Sequence, residues 1–469
     1  MIDTELLKEK VLDLAMRGKL VEQDPADGNA RDLLEEIQAE REQLIKEKKI
    51  KKTKTLPPIS EDKIPYEIPE SWEWVRAGEL LLITMGQSPK KETINSIKDG
   101  YEFHQGKTLF GEKYLQESDV YTTAENKNIS APAVVMSVRA PVGDVNLIER
   151  EIFIGRGLAS FQCFSGINIE YIYYFLSTLK KSLEQVSTGS TFKAINSGIV
   201  NNIMIPVPTT REQQRIVTEL NRLYELIDQL FTAEQNYKLY SELVSKKTLD
   251  FAIQGKLVPQ LPEEGTASTL LEEVAAERQR LVDEKKIKKT KPLPEITQEE
   301  IPYEIPESWE WVRLGSIIYP QKTVKEKPKE FYYIDISSIN NELQKVENPE
   351  LISAEGSPSR ASKYVEEGDV VFSTVRPYLK NIAIVTSEYK NVIASTGFYV
   401  MCGIGKVNNE FLYYLSQSEY FLGSVTRMMR GDNSPSVRNN DLEEFVIPLP
   451  PADEQVRIVN KLKEIRQNI

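Results

Sequence analysis

The sequence predicts an α+β fold: two mixed α/β domains separated by long antiparallel, coiled-coil-like helices, related by a pseudo-two-fold (circular) internal repeat. Three observations predict it. Residues 209–254 contain neither Gly nor Pro, and Ile216, Leu220, Leu223, Ile227 and Leu230 recur at alternating steps of four and three, the spacing of a helix packed along another. The stretch Lys10–Gly78 recurs without a gap as Lys247–Gly315, 237 positions later, with more than half the positions identical. A second match closes each copy: Ile205-Pro-Val-Pro208, Glu212-Gln213 and Arg215-Ile-Val217 against Ile447-Pro-Leu-Pro450, Glu454-Gln455 and Arg457-Ile-Val459.

Between these matches, roughly 79–200 and 316–440, the copies have diverged, as in a tandem duplication that keeps its frame and varies its inserts. The repeat is also circular. Ile458, Leu462, Ile465 and Ile469 match Ile216, Leu220, Leu223 and Ile227, and Leu7, Val11 and Leu14 match Val244, Thr248 and Phe251. The expected order is insert, helix pair, insert, helix pair, the second pair formed by the chain ends. The domain boundaries that follow are 1–70 (helices and connector), 71–208 (first insert), 209–306 (long helix, acidic helix, connector), 307–450 (second insert) and 451–469 (distal helix).

In chain order, Asp3–Met16 reads as a helix stopped at Gly18, and Ala30–Lys49 as a second with Leu33, Leu34, Ile37 and Leu44 on its apolar side. Lys48–Lys54 is basic and reads as solvated surface, with phosphate contact as the alternative. The proline-rich 56–69 is an extended connector. In the first insert, alternation predicts strands at 79–84, 133–138, 145–148 and 151–154, then a helix over 168–183 carrying Tyr171, Tyr173 and Tyr174. Thr209 or Thr210 can cap the long helix, whose repeat breaks over 232–236 and resumes in a new phase at Tyr237, Tyr240 and Val244. In the second copy, 268–285 repeats the acidic helix and 292–306 the connector. Strands are expected at 331–336, 370–375, 382–385 and 392–393, and a helix at 408–422 with Tyr413-Tyr414 matching Tyr173-Tyr174. The tyrosines read as core, because the helix must bury one face.

Composition bounds the function. The chain has 469 residues, 40% hydrophobic and 28% charged, with no apolar run of membrane-span length and no signal-peptide pattern, so a cytoplasmic globular protein is expected. Cys163 and Cys402 lie in apolar strand-like runs and read as buried free thiols. The net charge of −12 lowers the expectation of a nucleic-acid partner without removing it, because the acid gathers on the helices at 33–47 and 270–284. A lone histidine, His104, excludes a multi-histidine metal site. There is no GxxxxGK[ST] phosphate loop, no glycine-rich strand-to-helix turn of the dinucleotide type, and no Asn/Asp-Pro-Pro-aromatic tetrapeptide. No catalytic residue and no metal ligand is expected.

Binding chemistry is left to polar turns. Ser137-Val-Arg139-Ala-Pro141 and Thr374-Val-Arg376-Pro377 stand 237 apart, each ending an apolar strand. Arg presents a planar fork suited to phosphate oxygens or to the acceptor edge of guanine, and equally to a carboxylate that braces the turn. Gly189-Ser-Thr-Phe-Lys193 lies opposite Arg430-Gly-Asp-Asn-Ser434, with Arg427 and Arg438 nearby. With Gln105-Gly-Lys107 they give the candidate DNA contacts: Arg139, Lys107, Gly189, Ser190, Thr191 and Lys193 in the first insert, Arg376, Lys380, Arg427, Arg430 and Asn433 in the second.

Taken together, the GKLV and Lys-Ile-Lys-Lys motifs, the doubled Ile-Pro-Glu-Ser-Trp-Glu-Trp-Val-Arg, Ser137–Asp144, Ile154-Gly-Arg-Gly157, Gly189–Lys193 and the paired Ile-Pro-x-Pro…Glu-Gln…Arg-Ile-Val resemble the specificity subunit of type I restriction–modification systems. The resemblance implies two target-recognition domains, each reading one half of a bipartite, asymmetric DNA site. It implies helices that dock two modification subunits (adenine-N6 methyltransferases) and, through them, restriction subunits. Ile216, Leu220, Leu223, Ile227, Leu230, Ile458, Leu462 and Ile465 are the docking candidates. S-adenosylmethionine, ATP and Mg are expected on those partners and none in this chain. Arg430–Ser434 departs from the Gly-Ser-Thr form of the first insert. The competing readings are a duplicated, non-catalytic protein-binding scaffold with coiled-coil spacers, and an intrinsic nuclease or methyltransferase.

Overall fold

The computed structural model describes residues 2–52, 56–186 and 194–468. It divides into two compact units, Met1–Gln235 and Asn236–Ile469. One uninterrupted helix, Thr210–Ile253, carries the chain from the first into the second. At about 1.5 Å per residue it is roughly 65 Å long.

Each unit is mixed α/β and repeats one plan. In the first, Glu73–Arg76 and Met204–Val207 pair antiparallel and close the insert, with Glu73 against Val207 and Arg76 against Met204. In the second, Glu310–Arg313 and Val446–Leu449 do the same, with Glu310 against Leu449. Inside the first insert an antiparallel sheet packs Leu158–Cys163 between Leu81–Met85 and Ala133–Ser137, with Val145–Ile148 at its edge. The matching sheet of the second unit has Val370–Ser373 between Ile382–Ile384 and Phe398–Met401. A further sheet in each contains one parallel pair: Tyr101–His104 with Ile152–Ile154, and Glu330–Ile334 with Val392–Ser395.

The duplicated motifs form a buried junction at the foot of each unit. The indole N–H of Trp72 donates to Glu212 Oε2 at 2.8 Å, and that of Trp309 to Glu454 Oε2 at 3.0 Å. Gln23 donates to Glu212, and Gln260 to Glu454 at 2.8 Å. Next door, Gln213 donates to Pro208 O and accepts from the Asn168 N–H at 2.7 Å, as Gln455 does with Pro450 O and Asn408 N–H at 2.8 Å. Gly18 and Gly255 end the preceding helices at φ +68° and +69°. A Cβ there would also lie 2.4 and 2.3 Å from Cγ of Pro69 and Pro306, so only glycine serves. One small junction thus ties the helix stop, the connector, the insert's first strand and the following helix.

The helices pack antiparallel in the first unit. Tyr224 donates to Lys8 O, Lys8 pairs with Asp228 at 2.6 Å, and the Ile2 N–H reaches Glu234, so rising numbers on one helix meet falling numbers on the other. In the second unit Leu249, Ala252 and Ile253 of the long helix share a core with Ile458, Val459 and Leu462 of the helix Ala452–Gln467.

Several elements differ from the sequence reading. The strand expected at 79–84 begins as a helical turn, Ala77–Leu80, and only Leu81–Met85 is extended. The helix expected over 168–183 is two, Ile169–Ser177 and Lys180–Val186. The Ser177 and Thr178 hydroxyls donate to the carbonyls of Tyr174 and Phe175 and compete with the helical ladder. The helix expected over 408–422 likewise breaks at Ser418, whose hydroxyl donates to Leu415 O and accepts from the Phe421 N–H, ending Asn409–Gln417 and capping Glu419–Arg427. The strands Leu158–Cys163 and Phe398–Met401 were not delimited from sequence. The phase break near 232–236 leaves no interruption in the helix, but Tyr237, Tyr240 and Val244 are exposed. Tyr174 and Tyr414 are buried as expected, edge-on to half-buried Tyr173 and Tyr413. Cys163 and Cys402 are free but only half-buried, and burial pushes both thiols up to about 12.

Burial raises the Glu212 carboxyl above its ordinary range, against the donors Trp72 and Gln23, which pull it back. A raised folded-state value means that the acid favours folding at low pH and that this contribution is lost as pH rises through it. Trp72→Phe removes a donor and raises Glu212 further. Its loss of stability is expected to reach about 1–3 kcal/mol at pH 8, where the carboxyl is ionised, and to be smaller at pH 4, below the ordinary glutamate range, read from urea unfolding midpoints. An identical loss at both pH values would contradict an ionised, indole-held Glu212.

Candidate nucleic-acid interface

In the second unit the candidate residues converge. After strand Val370–Ser373 the chain turns through Pro377–Leu379, flanked by Arg376 at φ +47° and Lys380 at φ +56°, both left-handed without being glycine. Such backbone persists only where neighbours over-determine it, at a cost of order 1–3 kcal/mol each. Here the Arg376 N–H donates to Pro435 O at 2.9 Å and its guanidinium to Asn433 O at 3.0 Å, while Asn341 donates to Leu379 O. A second turn, Arg430–Ser436, closes on itself through reciprocal backbone bonds, and Val437 N–H donates to Thr374 O. Arg376, Lys380, Arg427, Arg430 and Asn433 are all exposed.

The carboxylates near this group meet it at its exposed faces, Glu419 acting on Lys380 and Arg427 at a distance. Arg430 and Arg438 both reach Asp441, at 3.5 and 3.4 Å, in solvent, where such pairs contribute little. Arg427 donates to Ser424 Oγ at 3.0 Å. Of the two readings open for Arg376, the brace is present, but it is a backbone carbonyl that it grips, so its charge stays available.

The first unit presents a related but different surface. Arg139 is exposed, follows strand Ala133–Ser137, and forms a bridge with Ala194, while Ile195 N–H donates to Val138 O at 3.0 Å. Among the described residues its side chain has no partner. Gly189, Ser190, Thr191 and Lys193 lie outside the described residues. Lys107 is committed elsewhere: it and Lys180 both pair with Asp144. Burial works against ionising Asp144, but the two ammonium groups outweigh it and hold the carboxyl below its usual range. Lys107 therefore braces the turn that carries Pro141–Asp144.

His104 is buried beside Glu102, at 3.3 Å, and Arg150 holds the same carboxylate oxygen at 2.7 Å. Burial pushes the imidazole down, against Glu102, so it stays neutral near pH 7. This is bracing within a sheet. Among the described residues no group of His, Cys, Asp and Glu is arranged to hold a metal ion.

The helix residues expected to dock partners need reassigning. Ile216, Leu220, Ile227, Ile458 and Leu462 are buried in the cores of their own units, and Leu223 and Ile465 are half-buried. Of that set only Leu230 is exposed. The heptad spacing identified a packed face, and intramolecular packing uses it. The apolar side chains the long helix leaves exposed are others, among them Leu226, Phe231, Tyr237, Leu239, Tyr240 and Leu243. No helix among the described residues is long and apolar enough to cross a membrane.

The family model described as "Type I restriction modification DNA specificity domain" matches residues 69–237 and 306–469, once in each copy of the repeat. The chain is 29% identical to the type I restriction enzyme EcoAI specificity subunit of Escherichia coli, over 98% of this chain and 88% of that one. It is 32% identical to the EcoEI specificity subunit of the same organism, over 66% of this chain and 61% of that one. Among solved structures, the HsdS subunit of Thermoanaerobacter tengcongensis matches at 39% identity and a TM-score of 0.34, over 36% of this chain and 45% of that one. The chain belongs to the type I restriction–modification specificity-subunit family, with one DNA specificity domain in each half.

Proposed function

We propose that this chain is the non-catalytic DNA reader of a type I restriction–modification complex. Each specificity domain binds one half of a bipartite, asymmetric site. The observation that carries this reading is the contrast between a kept frame and changed turns. The Trp–Glu junctions and closing strands repeat almost bond for bond. The exposed groups after the matching strands Ala133–Ser137 and Val370–Ser373 do not: among the described residues Arg139 stands in one, and the Arg376, Arg427 and Arg430 cluster in the other. Unlike turns on like frames suit unlike half-sites. Exposed guanidinium groups supply both phosphate contact and the fork that reads guanine.

In this proposal the exposed apolar side chains at 226–243 of the long helix dock two modification subunits, which carry S-adenosylmethionine and methylate adenine at N6. Restriction subunits using ATP and Mg join through them, and the assembly works in the cytoplasm. The scaffold reading shares those docking residues. It is separated by a gel shift of the chain with its modification subunits, since a scaffold shows no site-selective binding.

Because one helix joins the two readers, its length sets the unread spacer, as fixed geometry sets half-site separation in dimeric DNA readers. Inserting about four residues, roughly one helical turn, between Thr232 and Asn236 is expected to lengthen the spacer and leave both half-sites unchanged, read by sequencing the methylated motif. A changed half-site with an unchanged spacer would refute it. Arg139→Ala is expected to weaken binding several-fold at one half-site only. Equal loss at both would assign Arg139 a structural role.

A further inference from the structure

We infer that bases are read at a corner bordering the Arg139 and Arg376 turns: the carboxyl ends of the parallel strand pair in each unit. The inference rests on the DNA-reading role proposed above and names the residues that set specificity. In the first unit, Tyr101–His104 and Ile152–Ile154 run parallel and end together, followed by Gln105 and by Gly155-Arg156-Gly157. A third loop, Gly86–Ser88, closes on them. Gly86 N–H donates to Leu158 O, Gln87 N–H to Ile154 O, Gly155 N–H to His104 O and Gly157 N–H to Gln105 O, at 2.7–3.1 Å.

Three glycines make this corner possible. A Cβ on Gly86 would lie 2.1 Å from Gly155 O, one on Gly157 2.5 Å from Gln105 O, and one on Gly155 2.8 Å from Gln105 Cα. Backbone packed so closely fixes where the neighbouring side chains stand. Those are Gln87, Gln105 and Arg156, all exposed, with the Gln105 amide oriented by Ser88, to whose hydroxyl it donates at 3.1 Å and from which its oxygen accepts at 3.3 Å. Among the described residues Gln87 and Arg156 have no side-chain partner, unlike Lys107. Arg139 belongs to the same edge, because Val138 N–H donates to Gly157 O at 2.8 Å.

The second unit builds the same corner with other chemistry. Glu330–Ile334 and Val392–Ser395 end in parallel, followed by Asp335 and by Thr396-Gly397, and Thr374 N–H donates to Gly397 O at 2.8 Å, the counterpart of the Val138–Gly157 bond. A different element contributes Arg360: it precedes the strand Ala361–Tyr364, which flanks the parallel pair as Asn128–Ile129 does in the first unit, its carbonyl accepts from Thr396 N–H, and its exposed guanidinium lies 3.3 Å from Asp335. The first corner thus carries two amides and an arginine, Gln87, Gln105 and Arg156, and the second an arginine facing a carboxylate, Arg360 and Asp335. A Gln amide matches the N6/N7 edge of adenine, and an arginine fork the O6/N7 edge of guanine. Gln105 therefore reads adenine in one half-site and Arg360 reads guanine in the other.

The test uses the full chain assembled with its modification subunits and selected against a DNA pool randomised across both half-sites, with Gln105→Ala, Gln105→Glu and Arg360→Ala beside the parent. The expected result is a loss of discrimination of about tenfold to a hundredfold at one or two positions, adenine for the Gln105 variants and guanine for Arg360→Ala. The two changes fall in different halves, with spacer and remaining positions kept. An unchanged motif in all three variants would overturn the corner while leaving DNA reading intact. So would uniform weakening across both halves. A parent complex that selects no motif would overturn the underlying reading itself.

Discussion

A tryptophan N–H set against a buried glutamate anchors the foot of each unit, and the rest of the architecture is arranged around that bond. Glu212 and Glu454 are almost wholly enclosed, and an ionised carboxylate out of water persists only if donors surround it. The donors come from distant parts of the sequence: Trp72 and Gln23 in one copy, Trp309 and Gln260 in the other. Satisfying one carboxylate therefore fixes the connector, the insert's first strand and the following helix together. That requirement accounts for the long identical stretches. Every residue of the junction answers to several others, so none can drift alone, whereas exposed turns beyond the closing strands are free to diverge.

Much of this frame was legible in the sequence. The repeat contains every junction residue in both copies, and the Gly-free, Pro-free stretch matches the long helix to within one residue at each end. Periodicity said less about partners. The a/d spacing of Ile216, Leu220 and Ile227 marks a face that must be covered, but not whether the cover comes from the same chain, and here it does. The strands Leu158–Cys163, between two neighbours, and Phe398–Met401, at the edge of its sheet, are mostly buried runs that lack the alternation that marks a half-exposed strand. The helix breaks at Ser177, Thr178 and Ser418 depend on hydroxyl back-bonding that residue type alone does not reveal.

The interface was legible only in outline. Arg139 and Arg376 stand on exposed turns as their position after strands suggested, but Lys107 is spent on Asp144, a partner 37 residues away that no local pattern signals. The left-handed backbone at Arg376 and Lys380 is imposed by tertiary hydrogen bonds, so sequence could not show it. The glycine-closed corner was visible as Ile154-Gly-Arg-Gly157 and Gly86-Gln-Ser, yet its meaning required knowing that a parallel strand pair ends there. A rigid frame with replaceable surface groups is a physical route to new DNA specificity without rebuilding the fold.

The central claim is that one chain carries two different DNA readers on a repeated frame. Nuclease footprinting of the full chain with its modification subunits, on DNA carrying the methylated motif, tests it most directly. The account predicts two short protected tracts of unrelated sequence, separated by a tract whose sequence can be changed without loss of binding. A single uninterrupted site, or two protected tracts of the same sequence, would contradict it.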